Sequence, residues 1–274
     1  MSRRSDKGGV IKRIASLSQF KKVALEAALK AGKYIGTRVG KKKKVCYKGE
    51  IDVVTDADKR AESIIVGTIK KSFPRHSFLA EENTYAKKDL DFTWIIDPID
   101  GTTNFLHGFP FFCVSIALVY RGKIILGVVY DPTREELFYA ERAKGAFLNK
   151  KRIHVSAVSR LKKSLVATGF AYDIKRAVNN NVSNFINFLK ASQAVRRAGS
   201  AALDLCYIAC GRFDGFWEFY LNPWDTAAGL LMVEEAGGKA TKIDGSAYSI
   251  YDKEILASNS KIHREMTMTL SLGK

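Results

Sequence analysis

The sequence is poor in the residues that build disulfide scaffolds, zinc sites and membrane spans. Its four cysteines include no C-x-x-C pair and its four histidines are scattered, so a zinc hydrolase or a histidine or cysteine phosphatase has little support. The apolar runs stay well below the roughly 20 residues of a membrane helix, and the N-terminus lacks the apolar block of a secretory signal. We therefore expect a cytoplasmic protein without membrane contact.

Acidic residues are also outnumbered by basic ones. The chain has 45 Lys and Arg and 28 Asp and Glu, which gives a formal net charge of +17. Residues 1–44 hold 14 of the basic residues but only two acidic ones, Asp6 and Glu26. One interpretation is a solvated tail and an exposed helix face, and the other is weak contact with nucleic acid. The basic residues do not interleave with aromatic ones as in a stacking platform, which favours the first.

Apolar residues at helical and strand spacing outline the fold of the 274-residue chain. Helical spacing predicts helices over residues 20–35 and 58–72. Strand-like runs separated by turn residues between 93 and 140 predict an antiparallel meander, while strands and helices alternate after residue 154. The sequence therefore predicts two packed halves, one α+β and the other α/β.

A pair of aspartates interrupts the apolar segment "IIDPIDGTTNF". Asp97 follows a buried-strand pattern, and Pro98 fixes the backbone so that Asp100 can turn back toward the same point. Two carboxylates so close repel each other unless a proton or a cation lies between them. Gly101 and Thr102 follow at a predicted helix start, where free N–H groups suit a phosphate. The segment indicates metal-assisted phosphate chemistry, with an ordinary Asp-Pro turn as the alternative.

Four segments in order resemble the signature motifs of the inositol monophosphatase family, which belongs to the magnesium-dependent, lithium-sensitive sugar phosphatase superfamily. The resemblance extends over about residues 20 to 260 and implies the family's five-layer αβαβα fold, a mixed α+β and α/β architecture, and a homodimer. The four segments are "DVVTDAD" at 52–58, "HSFLAEEN" at 76–83, "WIIDPIDGTTNF" with the following "HGFPFFCVSIAL" at 94–118, and "PWDTAAGLLMVEEAGG" at 223–238.

The resemblance implies two or three Mg²⁺ ions in the active site. Asp58 and Thr102 would polarise the attacking water, and Glu82 would assist through its metal-bound water. From the residues alone, the position of Asp58 at a helix start favours an N-terminal cap, and only the resemblance favours the catalytic role. The metal would be held by the backbone carbonyl of Ile99 and by four carboxylates, those of Glu82, Asp97, Asp100 and Asp225.

Substrate contacts implied by the resemblance come from both halves of the chain. Glu218 would accept hydrogen bonds from a polyol, although an exposed strand position is the alternative from the residue pattern alone. Arg196 and Arg197 stay unassigned, and Lys48 is offset by one residue from the family's metal-organising lysine. The implied contacts are Glu82, Ile99, Asp100, Gly101, Thr102, Gly199, Ser200, Ala201, Glu218 and Asp225.

These patterns divide the chain into three parts. Residues 1–19 form a basic N-terminal extension that we expect to be disordered. Residues 20–153 form an N-terminal α+β half that binds metal, and residues 154–274 form a C-terminal α/β half that completes the active site.

The sequence as a whole predicts a Mg²⁺-dependent phosphomonoesterase for myo-inositol 1-phosphate or a similar polyol phosphate, with direct attack by metal-bound water. The alternative enzyme keeps this metal site but hydrolyses fructose 1,6-bisphosphate, 3′-phosphoadenosine 5′-phosphate or NADP. The "DGTTNF" segment favours the inositol branch. The alternative of another class is a nucleic-acid- or protein-binding role of the basic N-terminus.

Overall fold

Five layers of secondary structure, in the order helix, sheet, helix, sheet, helix, build the part of the chain that the structure describes. The structure is a computed structural model that describes residues 6–41, 45–47, 53–88, 91–171, 174–175 and 177–272. The sequence positions Lys48 and Asp52 and most of the "KKKK" run lie outside the described residues. The five-layer αβαβα fold expected from the resemblance is confirmed.

The elements of the described residues are numbered in chain order. The helices are α1 (Asp6–Gly36), α2 (Asp56–Ser72), α3 (Thr102–His107), α4 (Val182–Ala191), α5 (Ala201–Ala209), α6 (Pro223–Glu235) and α7 (His263–Ser271). The strands are β1 (Val45–Tyr47), β2 (Val53–Thr55), β3 (Ser77–Ala80), β4 (Phe92–Asp100), β5 (Cys113–Tyr120), β6 (Lys123–Asp131), β7 (Glu136–Glu141), β8 (Gly145–Leu148), β9 (Lys151–Ile153), β10 (Leu165–Thr168), β11 (Ala194–Arg196), β12 (Gly215–Phe219), β13 (Lys239–Thr241) and β14 (Glu254–Ser258).

Helices α1 and α2 form the first layer and cover one face of a seven-stranded sheet. The apolar stripe predicted for α1, including Phe20, Ala27 and Ile35, is buried against strand residues of that sheet. The helix begins at Asp6, however, and not at Phe20. The expectation of a disordered extension over residues 1–19 therefore differs from the structure from Asp6 onward, because one continuous helix runs from Asp6 to Gly36.

The seven-stranded sheet has the order β3-β4-β5-β6-β7-β8-β9. Strand β3 lies parallel to β4, and every later pair is antiparallel. Arg121 and Gly122, which the sequence marks as a turn, both have positive φ angles, of 47° and 77°, between β5 and β6. The predicted meander is confirmed and continues through β8 and β9.

Helices α5 and α6 form the middle layer, and their apolar side chains join the two sheets in one hydrophobic core. The contact between α6 and β6 is made backbone to backbone at Gly127. A Cβ atom there would lie 2.8 Å from the carbonyl oxygen of Ala228. The absence of a side chain at this position therefore sets the distance between α6 and the sheet.

The second sheet has five strands in the order β11-β10-β12-β14-β13, and α4 and α7 cover its outer face. Strands β10, β11 and β12 run parallel, whereas β14 is antiparallel to both of its neighbours. Phe188 of α4 stacks on Trp217 of β12 with the ring centroids 3.9 Å apart. None of the helices described here is both long and apolar enough to cross a membrane.

The backbone contact at Gly127 generates a stability prediction. We expect Gly127→Ala to lower the free energy of unfolding by about 1–3 kcal/mol, because the new methyl group overlaps the Ala228 backbone. Gly67→Ala is the matched control, since a Cβ at this helical glycine meets no atom within 4 Å, and it should stabilise by about 0.5–1 kcal/mol. Urea unfolding of both variants measures the difference, and equal effects would contradict the packing argument.

Candidate active site

A cleft opens where β4 ends and where α5 and α6 begin. Its larger part is a cavity of about 420 Å³ and its smaller part a cavity of about 250 Å³. Both cavities are lined by Asp100, Gly101, Glu218 and Asp225, so they form one continuous space. Nearly all of the residues predicted from the sequence to form the site line this cleft, and the exceptions are Asp58 and Glu82.

The two aspartates of the "DPID" segment reach the cleft because β4 changes its pairing between them. Asp97 pairs with Ser115 of β5, the register then shifts, and the ladder resumes with Asp100 opposite Cys113. The backbone N–H of Ile99 donates to Oδ1 of Asp97 at 2.9 Å. This irregular turn, at the proline that cannot donate to the ladder, directs both carboxylates to the same side.

Asp100 connects the two halves of the chain. Its Oδ2 accepts hydrogen bonds from the Ser200 hydroxyl at 2.6 Å and from the backbone N–H of Ala202 at 2.7 Å. Ser200 is also the N-cap of α5 and accepts from Leu203 N. The segment Gly199, Ser200 and Ala201, expected to touch substrate, lines the smaller cavity, and Ser200 in addition holds Asp100 at the positive end of α5.

Asp225 lies at the start of α6, as Asp100 lies against the start of α5. It is the third residue of the helix, and its Oδ2 accepts from the backbone N–H of Asn222 at 2.6 Å in a capping box. Its carboxylate lies close enough to Asp97 and Asp100 for the three groups to repel one another. The helix start thus fixes a carboxylate against the end of β4.

The structure brings Glu81, and not Glu82, to these aspartates. The parallel register pairs Ala80 with Ile96, and Glu81 N continues the ladder to Ile96 O at 3.3 Å, which places Glu81 beside Asp97. Glu81 lines the larger cavity of the cleft, whereas Glu82 lines a neighbouring cavity and not the cleft. The prediction of Glu82 as a site residue is corrected to Glu81, because successive side chains of an extended chain point to opposite sides.

Glu81, Asp97, Asp100 and Asp225 are called the acidic cluster below. Burial and then the charges of Glu81, Asp100 and Asp225 raise the pKa of Asp97 well above its usual value. Burial, opposed by the hydrogen bonds from Ser200 and Ala202, raises the pKa of Asp100 to about 6. Burial and the charge of Asp100 likewise raise the pKa of Asp225 well above its usual value. The cluster retains protons at moderately acidic pH unless a cation replaces them.

The donor set of the acidic cluster suits Mg²⁺. No Lys or Arg of the described residues forms a salt bridge with Asp97, Asp100 or Asp225. Within the same residues, no three acidic, His or Cys side chains already lie at the spacing of a closed metal site. Mg²⁺ does not require one, because it keeps several waters and is held by one or two carboxylates together with substrate phosphate.

Asp58 lies directly behind the cleft, and its hydrogen bonds are compatible with both roles that the sequence left open. It is fully buried, and its Oδ2 accepts from the backbone N–H of Thr55 at 2.8 Å in the capping box of α2. Its Oδ1 lies 3.2 Å from the Thr102 hydroxyl, which is also 3.0 Å from the carbonyl oxygen of Ile99. Burial raises the pKa of Asp58 despite the hydrogen bonds from Thr55 and Thr102. The capping box therefore holds the Asp58 carboxylate against the Thr102 hydroxyl at the edge of the cleft.

Gly101 forms the sharp turn between β4 and α3. Its φ angle is 97°, in the left-handed region, and a Cβ atom would lie 3.0 Å from Phe111 O and 3.1 Å from Gly199 O. Backbone from both halves of the chain therefore meets at this glycine. A side chain here would push the two halves apart at the edge of the cleft.

Glu218 on β12 lines both cavities and is half-buried, so the exposed strand position considered from the sequence does not apply. Burial raises its pKa to about 8, while the charge of Arg197 lowers it and that of Asp100 raises it.

Sequence reasoning left Arg197 unassigned and overlooked Gly169. A Cβ at Gly169 would lie 2.1 Å from Oε1 of Glu218. The glycine makes room for the carboxylate, and its position directly after β10 was the available signal.

Comparison with known proteins finds relatives along nearly the whole chain. The pattern of the family described as "Inositol monophosphatase family" matches residues 16–272. The inositol-1-monophosphatase of Synechocystis sp. is 46% identical over 259 residues, which cover 94% of this chain and 90% of that protein.

Solved structures agree with this relationship. The extragenic suppressor protein suhB from Bartonella henselae has a TM-score of 0.89 and 42% identity, and the match covers 93% of this chain and 100% of that one. An IMPase/NADP phosphatase complexed with Mg²⁺ and phosphate has a TM-score of 0.81 and 28% identity, and covers 93% of this chain and 95% of its own. The fold and the relatives define a phosphatase. The chain belongs to the inositol monophosphatase family.

The raised pKa values generate a prediction for the metal-free protein. Aspartate and glutamate of an unfolded chain have a pKa of about 4, whereas burial raises the pKa of Asp100 to about 6 and that of Glu218 to about 8 in the folded protein. The folded state then binds more protons across that window, so its free energy of unfolding should fall as the pH rises from about 4 to about 8. Melting temperatures in chelator at several pH values measure this decline. Asp97→Asn should make it shallower, and an equal or steeper decline in the variant would contradict the argument.

Proposed function

We propose that this phosphatase is a Mg²⁺-dependent phosphomonoesterase for myo-inositol 1-phosphate or a similar polyol phosphate. The observation that carries the proposal is the acidic cluster, in which buried carboxylates repel one another in a cleft that also holds Glu218 and the starts of α5 and α6. The relative complexed with Mg²⁺ and phosphate supports it, because that protein shares the fold.

Glu81, Asp97, Asp100 and Asp225, with the carbonyl of Ile99, would hold two or three Mg²⁺ ions. Bound Mg²⁺ would offset the carboxylate repulsion, lower the pKa of water and stabilise the charge on the leaving oxygen. Glu81 takes the place first given to Glu82, since it is the glutamate that lines the cleft.

The protein's own groups account for proton transfer and substrate orientation. Thr102 hydrogen-bonds the attacking water, and Asp58 receives its proton through the Thr102 hydroxyl 3.2 Å away. Water attacks phosphorus directly, the bond to the polyol oxygen breaks, and that oxygen takes up a proton from solvent water, so that inorganic phosphate and the free polyol leave. The described lining of the two cavities includes neither cysteine nor histidine, so the proposal invokes no phosphocysteine or phosphohistidine intermediate.

Substrate would lie across both cavities. Gly101, Thr102 and residues 199–201 line the side of the cleft nearest α3 and α5, where helix starts favour the phosphate. Glu218 lines both cavities and would accept hydrogen bonds from the hydroxyl groups of the polyol. A neutral, hydroxyl-rich leaving group suits this carboxylate better than a nucleotide base does.

Three further expectations stay predictions. They are a homodimer, a cytoplasmic location, and weak contact of the basic N-terminus with nucleic acid.

Phosphate release from a substrate panel tests the proposal. We expect release from myo-inositol 1-phosphate with Mg²⁺, inhibition by Li⁺, and a loss of at least ~100-fold in kcat/KM for Asp97→Asn and Asp225→Asn, more than is typical of outer-shell partners. The matched control is Asp131→Asn, which changes an equally buried carboxylate outside the cleft. Full activity in excess chelator would overturn the metal mechanism, and release from NADP or another nucleotide alone would overturn the substrate class.

The two roles of Asp58 can be separated by comparing two variants. Thr102→Val removes the hydroxyl but leaves the α2 cap, so we expect kcat to fall by roughly 10²–10⁴-fold with an almost unchanged melting temperature. Asp58→Asn disturbs both functions and should also lower stability by about 1 kcal/mol. Steady-state kinetics and thermal unfolding of both proteins check this, and normal kcat in Thr102→Val would refute the proton path.

A further inference from the structure

Helix α2 carries a second buried acid, Glu62, one helical turn after Asp58. Glu62 is fully buried, like Asp58, and the spacing of four residues puts both on the same helix face. A carboxylate removed from water is costly unless hydrogen bonds or an opposite charge compensate it. Glu62 forms no salt bridge with a Lys or Arg of the described residues. Its compensation comes from hydrogen bonds.

Three donors satisfy Glu62, and all of them come from one short loop after β3. Its Oε2 accepts from the backbone N–H of Glu82 at 2.9 Å. Its Oε1 accepts from Asn83 Nδ2 at 2.7 Å and from the Tyr85 hydroxyl at 2.8 Å. A single buried side chain therefore ties residues 82–85 to α2.

This loop also carries Glu81, which contributes to the acidic cluster. The β3–β4 ladder ends with Ala80 opposite Ile96 and is extended by the bond from Glu81 N to Ile96 O, after which the chain leaves the sheet. The next backbone N–H along the chain, that of Glu82, donates to Glu62 instead. Glu81 thus lies between a sheet contact and a helix contact, and both fix its backbone.

We infer that Glu62 is a positioning residue for Glu81: it holds the loop against α2 so that the Glu81 carboxylate stays beside Asp97. The inference rests on the proposed function of the acidic cluster as a Mg²⁺ site. Since Asp58 lies on the same helix, α2 sets the place of the proton acceptor and of a metal-binding carboxylate together. Groups that orient metal ligands from behind strongly affect metal affinity.

Glu62→Gln tests the inference with little change in size. The amide NH₂ of glutamine must face either the Glu82 N–H or the Asn83 and Tyr85 donors, so at least one donor meets another donor. We expect the Mg²⁺ dissociation constant, measured by titration calorimetry without substrate, to rise about 10–100-fold. The Mg²⁺-induced rise in melting temperature should shrink accordingly. At saturating Mg²⁺, kcat should return to within a few-fold of wild type.

Asp131→Asn is the matched control. Asp131 is also fully buried and accepts hydrogen bonds from one local segment, at Thr133 and Arg134, but it does not line the cleft. We expect this variant to have a lower melting temperature than wild type in chelator and to keep wild-type Mg²⁺ affinity. Tyr85→Phe removes one of the three bonds to Glu62 and should weaken Mg²⁺ binding by a smaller factor, and it carries the test if Glu62→Gln does not fold.

The outcomes separate the inference from the proposal beneath it. Mg²⁺ affinity within twofold of wild type in Glu62→Gln, or in Tyr85→Phe where that variant replaces it, overturns the positioning role. An equal loss of affinity in Asp131→Asn also overturns it, because the effect would then follow from stability alone. A wild-type protein that binds no Mg²⁺ refutes the proposed metal site itself.

Discussion

Repulsion among carboxylates in a poorly solvated cleft is the constraint around which this structure is arranged. Asp97 and Asp100 are both buried, and the charges of Glu81 and Asp225 raise the pKa of Asp97 further. Such a cluster costs free energy in the absence of protons or cations, and the rest of the fold must hold it in place. The two sheets and the middle helices provide that rigidity, because their core is continuous from one sheet to the other.

Helix starts hold two acids of the cluster, Asp100 and Asp225, and also Asp58 behind it. Asp58 caps α2, Asp225 caps α6, and Asp100 accepts hydrogen bonds at the start of α5. A helix N-terminus carries a partial positive charge and unpaired N–H groups, so each contact partly offsets a carboxylate. In every case one carboxylate oxygen is held by the helix start. Structural capping and the chemistry of the site therefore use the same side chains without conflict.

Much of the fold and most of the cleft could be predicted from the sequence, and the differences have physical reasons. The meander and the helix over Val182–Ala191 carry clear periodicity, whereas the helix over Pro223–Glu235 is apolar on nearly every side, and strands of three residues such as Lys239–Thr241 are too short to show a pattern. The choice between Glu81 and Glu82 depends on strand register, which a motif of two adjacent glutamates does not contain. Glu62 escaped notice because its partners are a backbone N–H and two side chains some twenty residues away.

The backbone contact between Gly127 and Ala228 has a consequence for how the protein tolerates sequence change. Asp225 lies in the first turn of α6, which packs on the sheet through this contact, and Asp97 lies in that sheet. The distance between Asp97 and Asp225 therefore depends on a contact between main-chain atoms. Repacking of larger side chains elsewhere in the core changes this distance little. The spacing of these two carboxylates is thereby less sensitive to substitution of bulky core residues than to any side chain added at Gly127.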